Sequence, residues 1–351
     1  MKKDLIFSDP HLGTSRQAHT TRDSASRLQY DLFLQAMAVA RNHNGRRLML
    51  GDLFDKAFNS EQVLVQGYQV ANECNLVISG NHDETNRESA TTTLRALEAM
   101  GAPVIASPDL SDPHFEAYSD NYWVVPHHAS QELFEQALRQ AVAHAAGQDE
   151  ERHKYLLLHC NYNVPFDTED STLNLTPEMA EHLLDVFSRI FIGHEHNPKT
   201  FHDDRLVLVG NTHPTSFSDI SDKFAWYLDP ASDELERKII WDKAEKYAEI
   251  QFGEAIPNLD GVQFVDVIGS EPVEDAVEVA QFVRSVWDEY PDLRAVRNNV
   301  EIIDHLRNTS GVDTTKSALV DLRARIHDDL EGSDLQPEFN RLVSRAQGAN
   351  A

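Results

Sequence analysis

Five short clusters carry side chains suited to gripping divalent cations: Asp9-Pro10-His11, Gly51-Asp52-Leu53-Phe54-Asp55, Gly80-Asn81-His82-Asp83, His159, and Gly193-His194-Glu195-His196. Together they offer Asp9, His11, Asp52, Asn81, His159, His194 and His196, all oxygen or nitrogen donors with no thiolate among them. Such a set suits Mn2+, Fe, Mg2+ or Zn2+ at a catalytic centre rather than a closed structural zinc site. In Asp9-x-His11 and His194-x-His196, residues i and i+2 of an extended segment point the same way, so each pair can hold one ion. Asp52 can bridge two ions with its two carboxylate oxygens, and Asn81 adds a neutral carbonyl oxygen. Two metals about 3.5–4 Å apart would clamp a phosphoryl group and yield a nucleophilic water at neutral pH. His82 directly follows a ligand and is paired in sequence with Asp83, which suits it to protonate a leaving oxygen or stabilise transition-state charge. Each piece alone has a bland reading: Asp-x-His occurs by chance, and Gly-Asn-His-Asp is also turn composition. All five in order are hard to explain structurally.

The elements around these clusters explain how they could meet. Leu5–Phe7, Leu48–Leu50, Leu76–Ile78, Pro103–Ile105, Trp123–Val125, Tyr155–Leu158 and Ile190–Ile192 are apolar runs too short for helices, and read as buried strands. Between them lie amphipathic stretches over about 24–43, 60–73, 89–100, 130–146 and 177–187. This alternation predicts an α/β fold with helices covering sheet faces. Each cluster follows a predicted strand, where ligand sites form in such sheets. Later runs at 206–209, 224–228 and 238–241 suggest a meander completing a second sheet. Beyond 245 a small β-α-β unit is expected, with strands near 262–268 and 293–303 around a helix at 273–289. Two terminal helices, about 314–330 and 336–347, are split by Gly332-Ser333-Asp334.

The order Asp-x-His, Gly-Asp-x-x-Asp, Gly-Asn-His-Asp, His, Gly-His-x-His resembles the calcineurin-like metallophosphoesterase superfamily over roughly residues 4–215. Phe7-Ser8-Asp9-Pro10-His11-Leu12-Gly13 and Gly51–Asp55 look like the SbcD-type DNA repair nuclease branch, as does Leu208–Pro214 followed by Phe217. The tail beyond 260 resembles the capping domain and final helices of bacteriophage recombination nuclease subunits. The resemblance implies a four-layer αββα sandwich over 1–245, a capping domain over 246–310 and a C-terminal helix pair over 311–351 that grips an SbcC-type ATPase. It implies one metal on Asp9, His11, Asp52 and His196 and another on Asp52, Asn81, His159 and His194, with Mn2+ preferred. His82 would be the catalytic histidine, and Asp55 and Asp83 would orient ligands or His82. The activity implied is exonuclease on duplex DNA and endonuclease on single strands. His127 and His128 also follow a strand, but His159 fits the pattern, between the Asn81 and His194 clusters. His213 reads as a substrate contact or an exposed loop residue. Cys160 reads as a small buried hydrophobe, and Tyr162 and Phe166 as loop packing or base-stacking rings.

A formal charge of −27 cuts against nucleic acid as partner, because phosphate contacts usually demand basic surfaces. Bound cations or a partner subunit would have to supply the positive field. Two lone cysteines, Cys74 and Cys160, argue against a disulfide framework and for a reducing cytosol. No apolar run reaches membrane-span length, and the opening residues are too short in apolar content for a signal peptide. A homodimer stays open. Within the enzyme class the competitor is a small-substrate phosphodiesterase or nucleotidase, which would not need the region beyond 245. A protein phosphatase is disfavoured, because Lys56-Ala57-Phe58 follows Asp55 where an Arg would be expected. A non-catalytic binding subunit is the competitor from another class.

Overall fold

The computed structural model describes residues 2–15, 22–41, 43–85, 91–106, 111–149, 151–164 and 173–303. The expected terminal helix pair at 311–351 and Phe166 lie outside these residues. In the amino-terminal half the chain runs β1 (Asp4–Phe7), α1 (Arg22–Arg41), β2 (Arg47–Met49), α2 (Glu61–Glu73), β3 (Leu76–Ile78), α3 (Thr93–Ala99), β4 (Val104–Ile105), β5 (Glu116–Ala117), β6 (Tyr122–Val125) and α4 (Gln131–Ala146). It continues through β7 (Tyr155–His159), β8 (Asn161–Tyr162), β9 (Asn174–Leu175), α5 (Pro177–Leu184), β10 (Arg189–Gly193), β11 (Lys199–Phe201), β12 (Leu206–Leu208), β13 (Lys223–Asp229) and β14 (Glu234–Trp241). The last described part holds the single turn α6 (Lys243–Lys246), β15 (Tyr247–Gln251), β16 (Phe264–Pro272), α7 (Ala276–Glu289) and β17 (Ala295–Ile303).

Two six-stranded sheets form, in the orders β14-β13-β1-β2-β3-β4 and β11-β12-β10-β7-β6-β5. Strand alternation makes the layers. Leu5, Phe7, Met49 and Val77 face the cluster shared with α1, α2 and α3, whereas Ile6, Leu48, Leu50, Leu76 and Ile78 turn inward. In the second sheet Leu156, Leu158, Ile190 and Ile192 pack toward α4 and α5, while Tyr155, Leu157 and Phe191 meet the first sheet. The result is a four-layer αββα sandwich, and the apolar runs are continuous because both faces of each sheet are buried. Helix starts follow local chemistry: Ser60, Thr92, Ser130 and Thr176 each accept a backbone N–H at a helix N-terminus, and Pro177 occupies the first turn of α5.

The parallel cores are β1-β2-β3-β4 and β6-β7-β10-β12. Their carboxyl ends therefore lie at one end of the sandwich. The expectation that 224–228 and 238–241 complete the second sheet is corrected: β13 pairs antiparallel with β1, and β14 with β13, extending the first sheet. A meander read from sequence carries no information about which edge it joins. After β14 a separate parallel sheet, β15-β16-β17, packs with α7 around Val265, Val267, Val279 and Val286. The sequence reading anticipated β16, α7 and β17 but not β15. No helix among the described residues is long and apolar enough to cross a membrane.

Candidate active site

The loops after β1, β2, β3 and β10, with His159 at the carboxyl end of β7, bring all seven candidate ligands together. Four of them adopt left-handed backbone: Asp9 at φ 54°, His11 at 45°, Asp52 at 48° and His194 at 88°. The expected extended geometry for Asp9-x-His11 and His194-x-His196 is therefore corrected. The side chains converge through tight turns instead. Non-glycine residues held this way cost on the order of 1–3 kcal/mol each, and persist only when surroundings fix them. Here the loops after β1 and β2 are laced together: Asp9 N–H donates to the Gly51 carbonyl at 3.1 Å, His11 N–H to Asp52 at 3.1 Å, and Leu12 N–H to Leu53 at 2.8 Å. The His194 N–H donates to Asp9 Oδ2 at 3.1 Å, tying the second sheet to the first.

Three groups emerge among the described residues, each with its donor atoms within 4.8 Å of one another: Asp9, His11 and His196; Asp52, His159 and His194; and, sharing His11 with the first, His11, Asp55 and His82. In the first, His11 Nε2 faces His196 Nε2 at 3.1 Å. In the second, Asn81 Oδ1 lies 3.0 Å from His159 Nε2 and 2.9 Å from His194 Nδ1. Asp52 sits between these first two. Its Oδ2 is 3.8 Å from His11 Nε2 and 3.4 Å from His159 Nε2. Its Oδ1 accepts the His82 N–H at 2.9 Å, so one oxygen rather than both faces the two groups.

These residues fit a pair of cations. Asp52 Oδ2 is buried and makes no hydrogen bond. Asp9, His11 and Asp52 are all sealed from solvent, an arrangement of converging charge and facing imidazole nitrogens that protons satisfy poorly. Burial, reinforced by the charge of Asp52, lifts the Asp9 carboxyl to about 6 against the pull of His159 and His196. Burial also opposes charge on Asp52, but His159 and His11 outweigh it and hold the group well below the usual range. His159 is raised to about 9, because Asp52 overcomes burial. His194 falls to about 3 through burial and the neighbouring His159.

His82 sits partly exposed at the mouth, its ring edge-on to His11 with centroids 5.0 Å apart. The expected Asp83 partnership is corrected. His82 Nδ1 instead meets the Asp55 main-chain carbonyl at 2.9 Å. Asp83 is fully buried and accepts N–H groups from Leu53 at 3.2 Å, Phe54 at 2.9 Å and Gly80 at 3.0 Å, locking the β2 and β3 loops together. Gly80 has no room for a side chain: a Cβ there would lie 2.2 Å from Asp52 Oδ1 and 2.5 Å from the Asp52 nitrogen. Gly51, at φ 91°, would meet His159 Nδ1 at 2.3 Å.

Other histidines stand aside from the ligand groups. His128 accepts from the His114 N–H at 2.9 Å and lies 2.7 Å from the Pro126 carbonyl, a structural role. Burial, helped by the neighbouring His159, lowers His127 to about 3. His213 is neither exposed nor a substrate contact: it is fully buried between the carbonyls of Pro10 and Pro214, each at 3.0 Å. Cys160 is buried as expected, and Tyr162 packs on Phe201 with its hydroxyl 3.0 Å from His202 Nε2. Sequence reasoning missed Thr215 and Asp219, which contact His196 Nδ1 at 2.9 and 3.2 Å. Ser216-Phe217-Ser218-Asp219 has the spacing of a capping box, a signal for a turn but not for its contact with a ligand.

No family model matches the chain, and no curated protein matches it in sequence. Among solved structures, it is similar to a candidate 5'-nucleotidase from Staphylococcus aureus in complex with alpha-ketoglutarate, at TM-score 0.40 and 15% identity over 68% of this chain and 52% of that one. The chain thus spans about half the length of that protein. It is also similar to the phosphopantetheinyl hydrolase PptH from Mycobacterium tuberculosis, at TM-score 0.37 and 13% identity over 60% of this chain and 89% of that one.

Proposed function

We propose that the chain is a two-cation phosphodiesterase whose substrate is DNA. The observation that carries the hydrolytic reading is Asp52 Oδ2, buried, without a hydrogen bond, and lying between two clusters of histidine and carboxylate donors. One ion would be held by Asp9, His11, Asp52 and His196 and the other by Asp52, Asn81, His159 and His194. Bound there, such ions polarise a phosphoryl oxygen and lower the pKa of a water; Mn2+ is the ion we propose. The protein's own contribution is positioning. The strained loops hold seven donors ready before substrate arrives. The His82 Nδ1 proton is committed to the Asp55 carbonyl, so any proton passed to a leaving oxygen is carried at Nε2.

The choice of DNA, with exonuclease action on duplex and endonuclease action on single strands, is supported by the Phe7–Gly13 and Gly51–Asp55 motifs and by the β15–β17 unit. The ATPase partner gripped by residues 311–351 is proposed on the resemblance alone. The charge of −27 favours a second reading, a small-substrate phosphodiesterase or nucleotidase that never binds a polyanion. Incubation with labelled duplex DNA, single-stranded DNA and bis(p-nitrophenyl) phosphate, each with Mn2+, Mg2+ or chelator, separates them. Metal-dependent DNA degradation supports the nuclease. Hydrolysis of the small ester with intact DNA supports the second reading. Failure on all three substrates would leave only a binding subunit.

A further inference from the structure

A neutral histidine that presents one ring nitrogen to an ion must place the proton of its other nitrogen on an acceptor, and that acceptor tunes the ligand. His159 uses a main-chain carbonyl for this, Leu50 at 2.8 Å. His196 differs. Its Nε2 faces His11, and its Nδ1 lies 2.9 Å from Thr215 Oγ1 and 3.2 Å from Asp219 Oδ2.

Asp219 is itself held from every side. It accepts N–H groups from Ser216 at 2.7 Å and Thr215 at 2.9 Å, the Asn211 side-chain amide at 2.9 Å and the Thr215 hydroxyl at 3.1 Å. The buried Lys223 ammonium donates to the main-chain carbonyls of both His196, at 3.0 Å, and Asp219, at 2.7 Å. The ring and the backbone of His196 are therefore fixed to one turn. That turn is braced in turn by the small domain: Phe217 packs on Phe264 with ring centroids 5.7 Å apart and lies 4.5 Å beneath the Arg297 guanidinium. Arg297 is anchored by donating to Asp266 at 2.7 Å.

We infer that Asp219, supported by Thr215, is a positioning residue that orients His196 and sets the affinity of the Asp9/His11/His196 ion separately from that of its neighbour. The inference rests on the two-cation reading. A carboxylate behind an imidazole fixes its tautomer and makes it a stronger donor, and loss of such a partner costs roughly 10–100-fold in metal affinity. No comparable contact joins this turn to the Asn81, His159 and His194 group among the described residues.

Calorimetric titration of the metal-free full chain with Mn2+ tests this, with thermal unfolding of each variant as the check on folding. Wild type should bind two ions. Asp219→Asn should weaken one of them by about 10–100-fold and leave the other within about twofold, whereas a merely structural role would weaken both or neither. Should Asp219→Asn fail to fold, Thr215→Val, which keeps the Asp219 turn, carries the test with a smaller loss at the same single ion. Folded variants that bind both ions as wild type does would overturn the inference alone. A wild type that binds fewer than two ions would instead sink the two-cation reading beneath it.

Discussion

At the residue scale the division of labour is sharp. In the proposed two-cation reading Asp52 is shared and His82 is not a ligand. Asp52→Asn should therefore abolish binding of both ions, while His82→Ala should keep both and lose on the order of 10^2–10^4-fold in hydrolysis; metal content and turnover measured on the same preparations decide this. The Asp9 carboxyl, lifted to about 6 by burial and Asp52, must ionise to bind an ion. Mn2+ affinity should accordingly fall as pH drops below about 6, in titrations at stepped pH. The same shift acts on the metal-free fold. A raised carboxyl pKa favours the protonated native form, so its contribution is full below 3.8 and is lost as pH rises through about 6. The seven side chains that the structure brings together were all picked out in the sequence, because Asp, His and Asn after apolar strands have few other uses together. Their backbone was not. Left-handed φ at Asp9, His11, Asp52 and His194 arises from cross-loop hydrogen bonds that no local pattern encodes.

At the element scale, the strand-end loops work as a unit because Asp83 bonds both the β2 and β3 loops. Asp83→Ala would strand three buried N–H groups, each worth about 1–3 kcal/mol, and should lower the denaturation midpoint accordingly. Gly80→Ala should be as damaging for a different reason, overpacking of about 1–3 kcal/mol against Asp52, with loss of metal binding before loss of fold. The short apolar strands and amphipathic helices were predictable from periodicity because both sheet faces are covered. Sheet membership of β13 and β14 was not, since a strand's own residues do not say which sheet edge it pairs with. The Asp83 contacts are not legible for a similar reason: adjacency to His82 in sequence does not say that the carboxylate bonds main-chain N–H groups of the β2 and β3 loops.

At the scale of the whole molecule, the two sheets stack so that their carboxyl ends form a single rim, and the β15–β17 unit buttresses the turn behind His196. A pair of cations bound across that rim would link the two sheets. Saturating Mn2+ should therefore raise thermal stability, by about 2.7 kcal/mol per site at 100 times the dissociation constant, and chelator should remove the gain. The acidic charge, plain in the composition, remains the feature most at odds with a polyanionic substrate, and salt dependence of DNA cleavage would show whether the cations carry the phosphate contacts.

Anomalous diffraction at the manganese edge from crystals grown with Mn2+ tests the central claim most directly. Two peaks about 3.5–4 Å apart on either side of Asp52 Oδ2 are expected, one against Asp9, His11 and His196 and one against Asn81, His159 and His194. A single peak, or peaks away from these side chains in a saturated crystal, would contradict it.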